Sequence, residues 1–287
     1  MRRAWRFSDG VRLAVLLGLA VVATRDIWRA IFELAIRSEE SSYILLAPGI
    51  AVWLAWLRRE RIRFCRPDPS ILGPVMIGMG WGMIVVGHEI AVDLMRDTGA
   101  LVTVVGAVVT IAGPSILFRF AAAWGALLFL IPVPGRIRHL IAVPLQQASA
   151  ASTEWLLMIF GAPVERTGNV LLINGAEVAI AEACNGMRMV AALALVSYAF
   201  VFSVPMRLWA RLLLLGLTPV VAILANVVRL VPTSLLYGYS SSDVATVFHD
   251  VAGWGVLLVA LLVLWLTVLL LRYLELPLAP YSIRERV

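Results

Sequence analysis

Eight apolar runs, all joined to their neighbours by short polar links except the fifth to the sixth, leave this chain few choices of fold. They fall near residues 11–23, 43–57, 71–90, 101–117, 120–133, 187–204, 212–231 and 253–271. A bilayer core is about 30 Å thick, so a spanning helix needs roughly 20 mostly apolar residues. The runs take up nearly half of the 287 residues, 61% of which are hydrophobic, a share no ordinary soluble domain reaches. The expected fold is all-α: a single membrane domain over residues 1–287, a polytopic helical bundle of about eight spanning helices. The first, second and fifth runs are short, so their ends must lean on interfacial residues or the bilayer must thin around them. The start "MRRAWRFSDGVRLAVLLGLAVVATRD" has the basic and apolar parts of a leader. Arg25, Asp26 and Ile27 make a poor cleavage site, however, so the first run reads as a span that stays.

Charge sets the orientation. All 24 basic residues are arginine. With the N-terminus placed in the cytoplasm, roughly 15 arginines fall on that side and roughly 9 on the other. The acids divide the opposite way, roughly 5 against 13. Eight spans return the C-terminus to the cytoplasm, and the expected location is the cell (inner) membrane. The pI of about 10.0 could suggest nucleic acid, but the arginines are scattered over short loops. Such arginines orient helices and touch anionic lipid, so membrane lipid is an expected partner and nucleic acid is not. Cys65 and Cys184 lie on opposite sides in this layout, which argues against a disulfide. No cysteine–histidine cluster has zinc spacing, and neither metal nor cofactor is expected.

Residues 132–184 form the one long non-cytoplasmic or interfacial segment, leading to Cys184. Its first half has apolar residues at helical spacing, from Leu140 to Ile159, mixed with Gln146, Gln147, Ser149 and Ser152. That pattern predicts an outer amphipathic helix lying in the interface or packed in the bundle. In the second half, Asn174-Gly175 sits between the β-prone runs "NVLLI" and "AEVAI", which predicts a small hairpin.

Three polar groups could carry chemistry. Cys184 sits where the polar segment turns into the sixth run, next to Asn185 and Gly186 as cap residues. A helix N-terminus favours a thiolate, although a lone cysteine is more often a small apolar helix residue. Glu182 precedes it, and Arg188 follows by one helical turn. Asn226 and Arg229 share a face of the seventh run. An intramembrane arginine is functional by default unless it snorkels to the interface. His249 and Asp250 precede the last run. Because consecutive spans alternate in direction, Cys184, Arg229 and His249 are all expected at the outer face. A nucleophile, a fixed cation and a titratable base on one face are a set suited to acyl transfer. His88, beside Glu89, is an alternative acid-base group, and Arg188 competes with Arg229 for the electrostatic role. His139 reads as interfacial, and Cys65, without an acid-base partner, reads as inert.

The stretch "AEACNGMRM" resembles the Ala-Cys-Ser-Gly motif, with an arginine soon after, of the exosortase/archaeosortase family. "NVVRL" resembles that family's Asn-x-x-Arg helix motif, and His249 matches its downstream histidine. "YILLAPGIAVWLAWLRRERI" and "IPVPGRIRHLIAVPLQQASAASTEWLLMIFGAPVERTGNVLL" are also similar to family segments, and the resemblance covers about residues 43–271. One position departs: Asn185 stands where the family often has serine, and asparagine caps a helix equally well. The resemblance implies a membrane cysteine protease or transpeptidase. In it Cys184 is the nucleophile, Arg229 the oxyanion or substrate-positioning cation, and His249 the acid-base. Glu182, Asn185, Arg188 and Asn226 support them. The implied substrates are secreted proteins carrying a C-terminal sorting signal: a short motif, a transmembrane helix and a basic tail. The competing readings are a multi-pass transporter and a non-catalytic membrane assembly protein. A transporter usually shows inverted repeats and helices broken at mid-membrane, and neither is found in the sequence.

Overall fold

The apolar runs fold as helices, but several begin or end away from where hydropathy alone sets them. The computed structural model describes residues 5–65, 70–179, 186–240 and 242–273. The chain divides into two compact units, residues 1–134 and 135–287.

In the first unit, α1 (Phe7–Ala23) turns into α2 (Arg25–Arg37) through a 69° bend at Thr24. The Thr24 hydroxyl donates to the Ala20 carbonyl at 2.8 Å and accepts the Trp28 indole N–H at 2.8 Å, which fixes the corner. The sequence reading has no helix between residues 24 and 42. α2 forms there because its apolar face is narrow: Ile31 and Ala35 are buried, while Arg29, Glu33 and Arg37 ladder along the exposed side at one-turn spacing. A 3₁₀ run (Glu39–Leu46) feeds α3 (Ala47–Leu57), which has Pro48 in its first turn.

The tightest pairing is between α4 (Leu72–Glu89) and α5 (Asp93–Ala112). Gly73, Gly80 and Gly87 recur every seven residues on α4, and Gly99 and Gly106 do so on α5. A Cβ at Gly80 would lie 2.7 Å from the Gly99 carbonyl oxygen, and one at Gly99 would lie 2.6 Å from that of Gly80. The two backbones touch, as small residues permit in a membrane interior. α5 begins eight residues before the apolar run expected at 101, because Arg96 bridges Asp93 at 3.0 Å and Asp97 at 3.2 Å and makes the polar first turn tolerable. It stops at Gly113 (φ 74°) and Pro114, earlier than the run ending at 117. Two short helices follow, α6 (Ser115–Arg119) and α7 (Ala121–Leu127); α7 packs on α3.

The second unit opens with α8 (Gly135–Ile159), the expected amphipathic helix. The hairpin around Asn174-Gly175 is present, and a further strand, unanticipated from sequence, makes it a three-stranded antiparallel sheet. Its strands are β1 (Val164–Thr167), β2 (Val170–Ile173) and β3 (Ala176–Ala179), in that spatial order. Both turns are two residues long. Gly168 (φ 63°) opens the first, while Asn174 (φ 50°) and Gly175 (φ 81°) make the second. Three helices complete the unit: α9 (Gly186–Ser203), α10 (Leu208–Tyr239) and α11 (Ser242–Tyr273). α10 tolerates Pro219 and Pro232 and runs well past both ends of the apolar stretch 212–231. α11 starts eleven residues ahead of its run, with Asp243 in the first turn favouring the helix dipole.

Among the described residues, three helical stretches are long and apolar enough to cross a membrane: Glu40–Leu57, α5 and α10. The number rises to five if two bent helix pairs each count as one span. The fold is therefore an α-helical membrane bundle with one small sheet.

Candidate active site

α9, α10 and α11 pack on one another in pairs and share a core of Leu193 and Val201, Leu214 and Ala222, and Ala260 and Leu264. The links between them, 204–207 and 240–241, are short, so the three helices alternate in direction. The start of α9, the end of α10 and the start of α11 thus share one end of the bundle.

Helix length sets the level of each candidate residue. Arg229 lies 21 residues from Leu208, about 32 Å along α10 at 1.5 Å per residue. Gly186 lies 17 residues from Ser203, about 26 Å along α9, and Cys184 is two positions further on in sequence. α9 is the short helix of the three, and by this count its start comes to within about 6 Å of the level of Arg229. His249 is seven residues into α11, about 10 Å from the turn, and Arg229 is ten residues, about 15 Å, below the same turn. His249 was expected ahead of the last helix; it lies inside it, because α11 extends back to Ser242.

Arg229 is 4% exposed. It is buried in the bundle, which answers the alternative of an arginine snorkelling to the interface. Asn226, one turn earlier, is half-buried. Pro232 removes an N–H from the helix ladder just beyond, and the Thr233 hydroxyl donates to the Arg229 carbonyl at 2.7 Å. Glu182, Cys184 and Asn185 lie outside the described residues. Arg188 falls in the first turn of α9 and His249 in α11, and the side chains of both lie outside the described part.

The small sheet holds the chain that leads to Cys184. Val164, Leu171 and Ile173 on its inner face pack with Ala150 and Leu157 of α8 and with Leu230 of α10. Glu165, Thr167, Leu172 and Glu177 alternate onto the exposed face. On one side Arg166 donates to Glu154 of α8 at 2.6 Å, and Asn169 donates to Gln146 of α8 at 3.3 Å. On the other side Asn174 donates to the carbonyl of Gly238 near the end of α10 at 3.0 Å. β3 then ends at Ala179, five residues short of Cys184.

Two groups that sequence reasoning passed over lie at this level. The hydroxyls of Thr153 on α8 and Ser234 on α10 are fully buried, with no hydrogen-bond partner among the described residues. Thr153 is about a turn from both Ala150 and Leu157, and Ser234 is one turn above Leu230. A serine or threonine in an apolar helix carries no signal of its own; only the packing of α8 on α10 singles these out.

His88 and Glu89, at the end of α4, and His139, on α8, are exposed. Cys65 is 2% exposed, and burial pushes its thiol pKa up, partly offset by Ser115 and Arg119.

Residues 12–266 match the family model of the transmembrane exosortases. The chain belongs to the transmembrane exosortase family. The match takes in the whole route from α1 to most of α11, including Cys184, Arg229 and His249. No curated protein and no solved structure matches this exosortase.

Proposed function

We propose that this exosortase is a membrane cysteine transpeptidase that cleaves C-terminal sorting signals of secreted proteins at the outer face of the cell membrane. Cys184 is the nucleophile, Arg229 the oxyanion-stabilising cation and His249 the acid-base. The observation that carries the reading is a buried Arg229 near the end of the bundle that the α9 start, the α10 end and the α11 start share. In the proposed layout eight spans cross the inner membrane, both termini are cytoplasmic, and the substrate's tail helix docks laterally in the bilayer.

The Cys184 thiolate attacks the scissile carbonyl carbon. Arg229, with Arg188 beside the nucleophile in sequence, faces the negative charge that develops on the oxygen; such a donor is typically worth about 3–4 kcal/mol. The C–N bond breaks as His249 protonates the leaving amine, and a thioester remains on Cys184. An amine or hydroxyl acceptor then gives its proton to His249 and displaces the thiol. Water in that role makes the outcome hydrolysis. Glu182, Asn185 and Asn226 orient these groups.

The test is to co-express the full chain with a secreted substrate carrying a C-terminal motif, apolar helix and basic tail, then trap the thioester. The expected result is a hydroxylamine-sensitive adduct on Cys184, lost in Cys184→Ala. Substrate processing that persists in Cys184→Ala would overturn the proposal.

A further inference from the structure

At one end of the first unit, three segments distant in sequence are stitched together. The Trp5 indole donates to the carbonyls of Ile62 at 3.3 Å and Cys65 at 3.1 Å. Arg61 donates to the carbonyl of Arg119 at 3.3 Å. Arg63 and Arg119 both lie over the ring of Phe64, at 5.4 Å and 5.5 Å from its centroid. Arg59 lies 4.6 Å from the centroid of Trp56. This end thus gathers Arg58, Arg59, Arg61, Arg63 and Arg119, and in residues 58–65 the single acid, Glu60, is engaged by Arg63 at 3.0 Å. Folding has concentrated like charges instead of separating them.

What lies beside the cations decides what they hold. Val52, Trp53, Trp56 and Leu57 form an exposed apolar surface on α3 that leads directly into the arginines. A free anion uses only the guanidinium groups. A phospholipid uses both parts: its phosphate matches the planar donor fork of arginine, and its acyl chains cover the α3 surface. Tryptophan beside basic residues is the pattern found at the headgroup level of a membrane.

The geometry points to an anionic-phospholipid site formed by Arg59, Arg61, Arg63 and Arg119, with the α3 surface as its acyl-chain seat. Arg61 and Arg119 are its centre, because the hydrogen bond between their segments brings the two halves together. The site uses none of the residues of the proposed chemistry and does not depend on it.

The test uses the full chain reconstituted in vesicles of phosphatidylcholine mixed with phosphatidylglycerol, then re-extracted for mass spectrometry of the retained lipid. Phosphatidylglycerol should be enriched over its share of the bilayer. The double variant Arg61→Gln, Arg119→Gln should lower that enrichment by about fivefold per arginine. The control pair Arg25→Gln, Arg29→Gln on α2 should leave it unchanged. Inorganic phosphate should not compete. Equal retention of the two lipids, an equal loss in the control pair, or displacement by phosphate each overturns the site. So does tight binding of a short RNA that the glutamine pair abolishes. Should the glutamine pair not fold, the wild-type enrichment is measured in rising NaCl: it should collapse as charge is screened, and salt-insensitive enrichment also overturns the site.

Discussion

Asn174 and Gly238, 64 residues apart, are joined by a 3.0 Å hydrogen bond from the asparagine side chain to the glycine carbonyl. The contact fastens the β2–β3 turn to the last turn of α10. It works only because Gly238 has no side chain: a Cβ there would lie 2.6 Å from Ile173 Cγ2 and 3.2 Å from its carbonyl oxygen. The strand that runs on toward Cys184 is therefore referenced to the same helix that carries Arg229.

Gly238→Val should lift the sheet from α10. Forced overpacking typically costs about 1–3 kcal/mol, whereas Asn174→Gly, which keeps the positive φ of the turn, loses one exposed hydrogen bond at a cost of about 1 kcal/mol or less. Thermal unfolding and turnover measured on both variants should show Gly238→Val far more damaging to turnover than Asn174→Gly. Equal effects on turnover would mean that the sheet does not position the proposed nucleophile, Cys184.

The α4–α5 pairing predicts a contrast between neighbouring glycines. Gly80 faces the Gly99 backbone, whereas a Cβ at Gly82 meets nothing within 4 Å. Gly80→Leu should destabilise the protein in detergent by about 1–3 kcal/mol or prevent its accumulation, and Gly82→Leu should be close to neutral. Unfolding midpoints of the two leucine variants give the comparison directly.

Cys65 should be silent to thiol reagents while the protein is folded. It is 2% exposed, and burial raises its pKa. A thiol whose folded pKa is raised adds stability that is fully present below its unfolded pKa and is lost as pH rises through the folded one. Stability should therefore fall on the alkaline side, and Cys65→Ala should flatten that part of the profile. Maleimide at neutral pH should label Cys184 alone, with Cys65 reacting only after denaturation. Rapid labelling of Cys65 in the folded protein would contradict the burial.

Thr153→Val and Ser234→Ala remove buried hydroxyls that no group among the described residues satisfies. Each variant should gain about 1 kcal/mol of stability, because an unmet buried polar group is a standing penalty. If these hydroxyls meet the polar groups of a bound peptide, KM should rise in the same variants. A higher midpoint with unchanged KM would make them packing features only.

Most helices were legible from the apolar runs, because burying side chains in lipid needs little more than length and hydropathy. What the runs hid were the polar helical turns. α2 carries Arg29, Glu33 and Arg37 on one face, so average hydropathy misses it while one-turn charge spacing finds it. The first turns of α5 and α11 were likewise invisible, which moved His249 from a loop into a helix. β1 was missed because "VERT" alternates too briefly to register before it pairs with β2.

The sequence by itself determined the α-helical membrane class, the Asn174-Gly175 turn, and the three residue types that acyl transfer asks for. Those follow from local chemistry: hydropathy, a turn that needs positive φ, and the side chains present. Only the tertiary structure decided that Arg229 is buried instead of snorkelling, that the sheet is clamped between Glu154 and Gly238, and that Arg63 and Arg119, 56 residues apart, share one ring. Each depends on contacts between segments far apart in the chain, where packing and charge balance are set by neighbours that no local window contains.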